Sequence, residues 1–200
     1  MSTNSLNSPT KAWRQIFTNA ILNKVTTYTN DYGEKNHKNW TTIDRSDIID
    51  FISILFLMSI QRQKDKPSNW FSENVMLQCA PAKKVMTGYK FHTLLRYLHC
   101  CPLQQPAGEE YDPAFKINGF SIYLQDQFAK LYDPGQALSL DESLIRAFGR
   151  IKFKVRIITK SARYGIKVYV ITDAETSYVL NLKFYTGRAM YGIEVSKEKK

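Results

Sequence analysis

The sequence predicts an α+β chain, an N-terminal helical region followed by a three-stranded antiparallel sheet. Apolar residues recur at helical spacing in four stretches before residue 133. Beyond residue 137 the period changes to two, in 138–148, 164–172 and 178–185. Only five turn residues, 173–177, separate the last two runs, which makes them a hairpin. The expected divisions are 1–39 as an N-terminal helix and linker, 40–137 as a helical domain, and 138–200 as the sheet-bearing core.

Taken in order, residues 11–29 place Trp13, Ile16, Phe17, Ala20 and Ile21 on one helical face. The polar stretch 30–39, with Gly33, reads as a linker. Ser46 is expected to cap a helix over 48–60 that is apolar almost all round and therefore buried. Asp50, Ser53 and Ser59 interrupt that run, and it is too short to cross a bilayer, so no membrane association is expected. Residues 61–69, with Pro67, form a charged loop whose Arg62, Lys64 and Lys66 are expected to face solvent. Phe91, Leu94, Leu95 and Leu98 build a core helix over 87–99, with Lys90 and Arg96 outside. His92 and His99 fall on that helix and are read as structural rather than metal-bound. Pro102 stops it, and 104–110, with Pro106 and Gly108, is a loop. A further helix over 115–132 carries Phe120, Tyr123, Leu124, Phe128 and Leu131. Asp133-Pro134-Gly135 then turns the chain into the first strand.

Charge is uneven along the chain. The net charge is +10, and residues 138–200 hold 13 basic and 6 acidic side chains against 15 and 12 in residues 1–137. A basic excess beside the strands suits nucleic acid, although an acidic protein or anionic membrane would attract it too. Cys79, Cys100 and Cys101 are odd in number and two are adjacent, which favours reduced thiols in an intracellular compartment. Without a CxxC pair, His99, Cys100 and Cys101 are poor candidates for one tetrahedral zinc. Residues 1–10 are polar and contain Pro9, so they do not read as a signal peptide.

The first strand carries the candidate chemistry. Alternation sends Leu138, Leu140 and Leu144 to one face and Ser139, Asp141, Ser143 and Ile145 to the other, so the Asp141 carboxylate lies on the more polar side. Asp141 and Glu142 also fit the polar start of an edge strand. Between residues 146 and 167 stand Arg146, Arg150, Lys152, Lys154, Arg156, Lys160, Arg163 and Lys167, with no acid among them. A solvated loop fits that run, and so does a groove that holds phosphates. Asp173 and Glu175 read as turn residues.

Several pieces of the chain, in order and spacing, resemble piggyBac-type DDE transposases. They are Leu138-Ser-Leu-Asp-Glu-Ser, Phe148-Gly-Arg150, Lys160, Tyr164-Gly-Ile-Lys167, Val170-Ile-Thr-Asp173 and Phe184-Tyr-Thr-Gly-Arg188. Upstream, Trp70, Met86 with Lys90 and Phe91, Leu95-Arg-Tyr-Leu-His99 and Tyr132-Asp-Pro-Gly-Gln136 are similar to the same family. The resemblance implies the start of an incomplete ribonuclease H-like fold, nuclear location and action on duplex DNA. It also implies three acids that hold two Mg2+ ions for phosphodiester cleavage and strand transfer. Asp141 corresponds to the first acid, as catalytic residue and metal ligand. The other two fall beyond the matched motifs, so the 200 residues are expected to be catalytically incomplete.

Two positions depart from the family pattern: Ser161 stands where a proline is common, and Ser177 where a glycine often sits in the hairpin turn. The cysteine-rich C-terminal module of many relatives is also missing from this sequence. Two other readings share the same fold. One is a non-catalytic module that holds DNA through the basic segment. The other is a partner of a full-length transposase, or of a second copy, through an exposed sheet edge or the N-terminal helix.

Overall fold

The computed structural model describes residues 8–61, 68–71, 80–108, 111–159 and 163–187. Cys79, Lys160, Arg188 and the basic loop residues Arg62, Lys64 and Lys66 lie outside the described residues. Two compact units emerge, one made of residues 17–104 and the other of 1–16 with 105–200.

The 17–104 unit is helical, with α2 Asn19–Asn36, α3 Arg45–Gln61, α4 Ser68–Phe71, α5 Ala80–Val85 and α6 Gly88–Tyr97. Helix α2 buries Ile21, Val25, Thr29 and Gly33, a stripe spaced by four residues that continues one helical face. The 30–39 stretch expected as a linker is therefore helical up to Asn36. Glycine tolerates the helix at Gly33 because the Trp40 ring lies on it: an added Cβ would come within 2.2 Å of Trp40 Cδ2. Thr29 is fully buried, and its hydroxyl donates to the His99 carbonyl (3.3 Å) and accepts from the His99 amide (3.1 Å).

Helix α3 is capped by Asp44, not by Ser46. Asp44 Oδ1 accepts from the Asp47 amide at 3.0 Å, and Asp47 Oδ2 accepts in return from the Asp44 amide at 3.2 Å. That reciprocal pair satisfies amides that the helix leaves open; Ser46 donates its hydroxyl to Asp44 instead. Ile48, Phe51 and Ile54 are buried, whereas Phe56 and Ile60 are exposed, so α3 buries one face rather than its whole circumference. Phe51 and Trp70 flank Phe91 at ring separations of 5.1 and 4.5 Å, and the Trp70 indole N–H donates to the Met86 carbonyl at 3.0 Å. Lys90, expected outside, forms an ion pair with Asp47. His99 stacks on Tyr32 at 3.8 Å, and His92 packs edge-on against Trp70 and Phe91.

The second unit joins α1 Pro9–Ile16 and α7 Phe115–Leu131 to the sheet. Residues 11–29 are thus two helices broken near Phe17, and α1 packs on α7, where the Tyr123 hydroxyl donates to the Ile16 carbonyl at 2.9 Å. The strands are β1 Leu138–Arg146, β2 Val155–Arg156, β3 Tyr164–Asp173 and β4 Val179–Phe184. The three expected strands are present, with β2 as a two-residue addition. β3 is central and antiparallel to the others: Leu138 to Arg146 pair with Asp173 to Gly165, and Val168 to Thr172 pair with Phe184 to Val179. β2 adds Val155 opposite Gly165 and Arg156 opposite Tyr164. Helix α7 reaches the β3–β4 turn through Tyr178, whose hydroxyl donates to the Phe128 carbonyl and whose ring stacks on Tyr132.

Candidate nucleic-acid interface

The β1–β3 register sorts the candidate residues by face, because directly paired residues send their side chains to the same side. Asp141 pairs with Val170 and shares its face with Ser139, Ser143, Ile145, Val168 and Thr172. Glu142 turns to the opposite face, beside Tyr169 and Lys167. Asp173, opposite Leu138, belongs to that second face as well. Neither neighbouring acid therefore shares a face with Asp141.

Asp141 is exposed, and its Oδ1 accepts from the amide of Glu142 at 2.7 Å. Val168, two positions along its face on β3, is buried, while β1 itself has no strand on its other side among the described residues. The carboxylate is thus open to water and ions at the sheet edge. Among the described residues no three His, Cys, Asp or Glu side chains come together as a metal site. One exposed carboxylate does not fit a pair of divalent cations, which need several to offset their charge.

Asp173 is a turn residue in full use. Its carboxylate accepts from the amides of Gly135 (2.8 Å), Glu175 (2.9 Å) and Thr176 (2.9 Å), and from the Thr176 hydroxyl (3.1 Å). Those donors, the Gly135 amide foremost, hold its carboxyl well below the usual carboxylate range. Ser177, in the same turn, adopts the left-handed region at φ 59°. That explains why glycine suits this position.

The basic residues are not equivalent. Arg150, Lys152, Arg156 and Arg163 are exposed. Lys154 is half-buried and donates to the Gly149 carbonyl at 3.1 Å. Lys167 pairs with Glu142 and lies over the Tyr169 and Tyr185 rings at 4.7 and 5.8 Å. The Glu142 bond in particular raises its pKa further. Arg146 shares that face with Lys167, whereas Arg156, paired with Tyr164, lies on the Asp141 side by register.

A feature that charge counting alone overlooks is that some of these cations lie beside aromatic rings. Arg146 Cζ lies 4.8 Å from the Phe148 ring centre, Lys152 Nζ 5.0 Å from Tyr111, and Arg156 Cζ 5.6 Å from Tyr164. The Arg-x-Phe spacing at 146–148 was visible in the sequence; the Tyr111 and Tyr164 pairs come from the fold.

A family model described as "Transposase IS4" matches residues 8–200. The chain belongs to the IS4 transposase family. The structure of this transposase-family chain also resembles one chain of "Cryo-EM structure of piggyBac transposase synaptic complex with hairpin DNA (SNHP)", at a TM-score of 0.77 and 24% identity. The likeness covers 98% of this chain and 42% of that one, so the family member described here spans less than half of the solved transposase chain. At that identity the match establishes the fold: N-terminal helices leading into the antiparallel sheet of a piggyBac-type transposase. No helix among the described residues is long and apolar enough to cross a membrane.

Proposed function

We propose that these 200 residues form the DNA-gripping and opening catalytic part of a piggyBac-like transposase, and that by themselves they bind duplex DNA without cutting it. The observation that carries this reading is the run of eight basic side chains from Arg146 to Lys167 with no acid among them, set on an IS4-family fold. Each phosphate neutralised by such a cation releases condensed counterions, which favours binding at low salt. Arg150, Lys152, Arg156 and Arg163 are exposed, as is Arg146. Arg146, Lys154 and Lys160 extend the set, and Lys167 supports it from its pair with Glu142.

Asp141 is the inherited first metal ligand in this reading, and Mg2+ would supply Lewis-acid and water-activating chemistry once further carboxylates complete the site. The contribution of this chain is positional: β1 holds one carboxylate at an open edge, beside a phosphate-binding segment. The same open edge of β1 favours association with a second copy or with a full-length transposase by strand addition. Action on chromosomal DNA in the nucleus follows from the same reading.

Duplex binding measured by fluorescence anisotropy across a salt series tests the proposal. Reversing Arg150, Lys152 and Lys154 to glutamate should reduce the log–log salt slope by about 2 to 3, at roughly 0.9 per phosphate contact. An unchanged slope removes the basic segment as the DNA contact. With Mg2+ added, the 200-residue protein should leave supercoiled plasmid intact; nicking that disappears in Asp141→Asn would show a complete active site instead.

A further inference from the structure

The rings beside the cations point to a narrower substrate. Phe148 is 77% exposed, Tyr111 64% and Tyr164 47%. Single exposed apolar side chains are ordinary on a protein surface, and Tyr111 is held by its hydroxyl, which accepts from Lys152 Nζ at 3.1 Å, but the two rings each within 6 Å of an arginine, Phe148 and Tyr164, are not explained by phosphate binding. A cation that only neutralises phosphates needs no ring next to it. The Ala147 amide donates to the Tyr164 carbonyl at 3.4 Å, and Arg156 pairs with Tyr164 across β2 and β3. Phe148, one residue beyond Ala147, and Tyr164 therefore leave the sheet at the same end. Among the described residues no ion pair engages Arg146 or Arg156, so both guanidiniums remain available to a nucleic acid.

A base inside a duplex has both faces covered by its neighbours and cannot stack on a protein ring. An unpaired base can, and such stacking tolerates any sequence because every base has a π-face. We propose that Phe148 and Tyr164, each beside an arginine, are stacking platforms for unpaired DNA bases, an inference that rests on the basic segment holding DNA. The ring takes the base, and the adjacent guanidinium reaches the flanking phosphate. The substrate class is single-stranded or locally unpaired DNA, held in preference to perfect duplex.

The experiment uses the full chain with three probes: a single-stranded oligonucleotide of mixed sequence, the matching duplex, and that duplex with a central mismatched patch. Phe148→Ala and Tyr164→Ala should each weaken binding to the single strand and the mismatched duplex by about 5- to 150-fold, the range for one lost base–ring stack. Perfect-duplex affinity and the salt slope should stay as in the parent, because no phosphate contact is removed. Phe148→Trp should restore single-strand binding, and thermal melting of each variant confirms an intact fold. Equal loss on all three DNAs, no loss on any, or failure of tryptophan to restore binding overturns the platforms while leaving the duplex reading in place. Absence of salt-sensitive binding by the parent protein to any of the probes overturns both.

Discussion

Replacing Gly165 by alanine should open the sheet at the end that carries Phe148 and Tyr164. Gly165 is buried, with Arg146 of β1 paired on one side and Val155 of β2 on the other. A Cβ built there would lie 2.2 Å from the Ile145 carbonyl oxygen, 2.9 Å from its carbon and 3.1 Å from Leu144 Cγ. Ordinary contact begins at 3.4 Å, so the β1 backbone would have to retreat by about an ångström. Such a shift breaks about two ladder hydrogen bonds, at roughly 1 kcal/mol each, and adds an overpacking cost of about 1–3 kcal/mol. The destabilisation comes to about 3–5 kcal/mol. For a unit of roughly 100 residues each kcal/mol lowers the melting temperature by about 4–8 °C, so thermal unfolding should move down by at least about 12 °C. Single-strand DNA binding should fall with it. A variant that melts within about 3 °C of the parent would refute the close backbone approach, and with it the placement of the two rings.

Ser177→Gly should stabilise the protein by about 0.5–1 kcal/mol, since serine strains the left-handed backbone that glycine accepts; denaturant melts with no gain would contradict that turn geometry. The depressed carboxyl of Asp173 makes stability depend on acid. Its folded pKa lies below its unfolded value, so the unfolded chain binds more protons there. The contribution is complete above about pH 4 and is lost progressively as pH falls further. Asp173→Asn should flatten the acid limb of melting temperature against pH, and an unaltered limb would count against the four-donor turn. Thr29→Val keeps the volume but removes the hydroxyl that bonds both the His99 amide and carbonyl, at a cost of about 1–3 kcal/mol in chemical denaturation. Burial, and then the neighbouring Cys101, push the Cys100 thiol up to about 11. Near neutral pH its thiolate fraction is about 100-fold below that of an ordinary thiol, so mass spectrometry should find it alkylated correspondingly slowly.

Local pattern carries far for some elements and stops short for others. The two-residue period of 138–148 grouped Asp141 with Ser139, Ser143 and Ile145, but the register sets that row beside Ile166, Val168 and Val170 of β3, so the face is polar on β1 only. Helix 115–132 and the hairpin around 173–177 were legible for the same reason, since each depends on neighbours in sequence. Gly33 misled because a glycine in a polar stretch reads as a linker, whereas here it makes room for the Trp40 ring lying on α2. Ser46 misled because serine and aspartate cap equally well, and the chosen cap, Asp44, stands only two positions before the expected one.

Composition and periodicity by themselves determined the helical-then-strand order, the concentrated positive charge and which β1 side chains share a face with Asp141. These follow from side-chain chemistry and repeat length alone. Only the tertiary structure decided that α1 packs on α7 and α7 on β4, that Asp173 and Glu142 turn away from Asp141, and that Phe148 and Tyr164 both lie at the same end of β1 and β3. Those outcomes depend on which strand pairs with which and in what register. A shift of one residue would reverse every face, and pairing between segments some twenty residues apart leaves no local trace in the sequence.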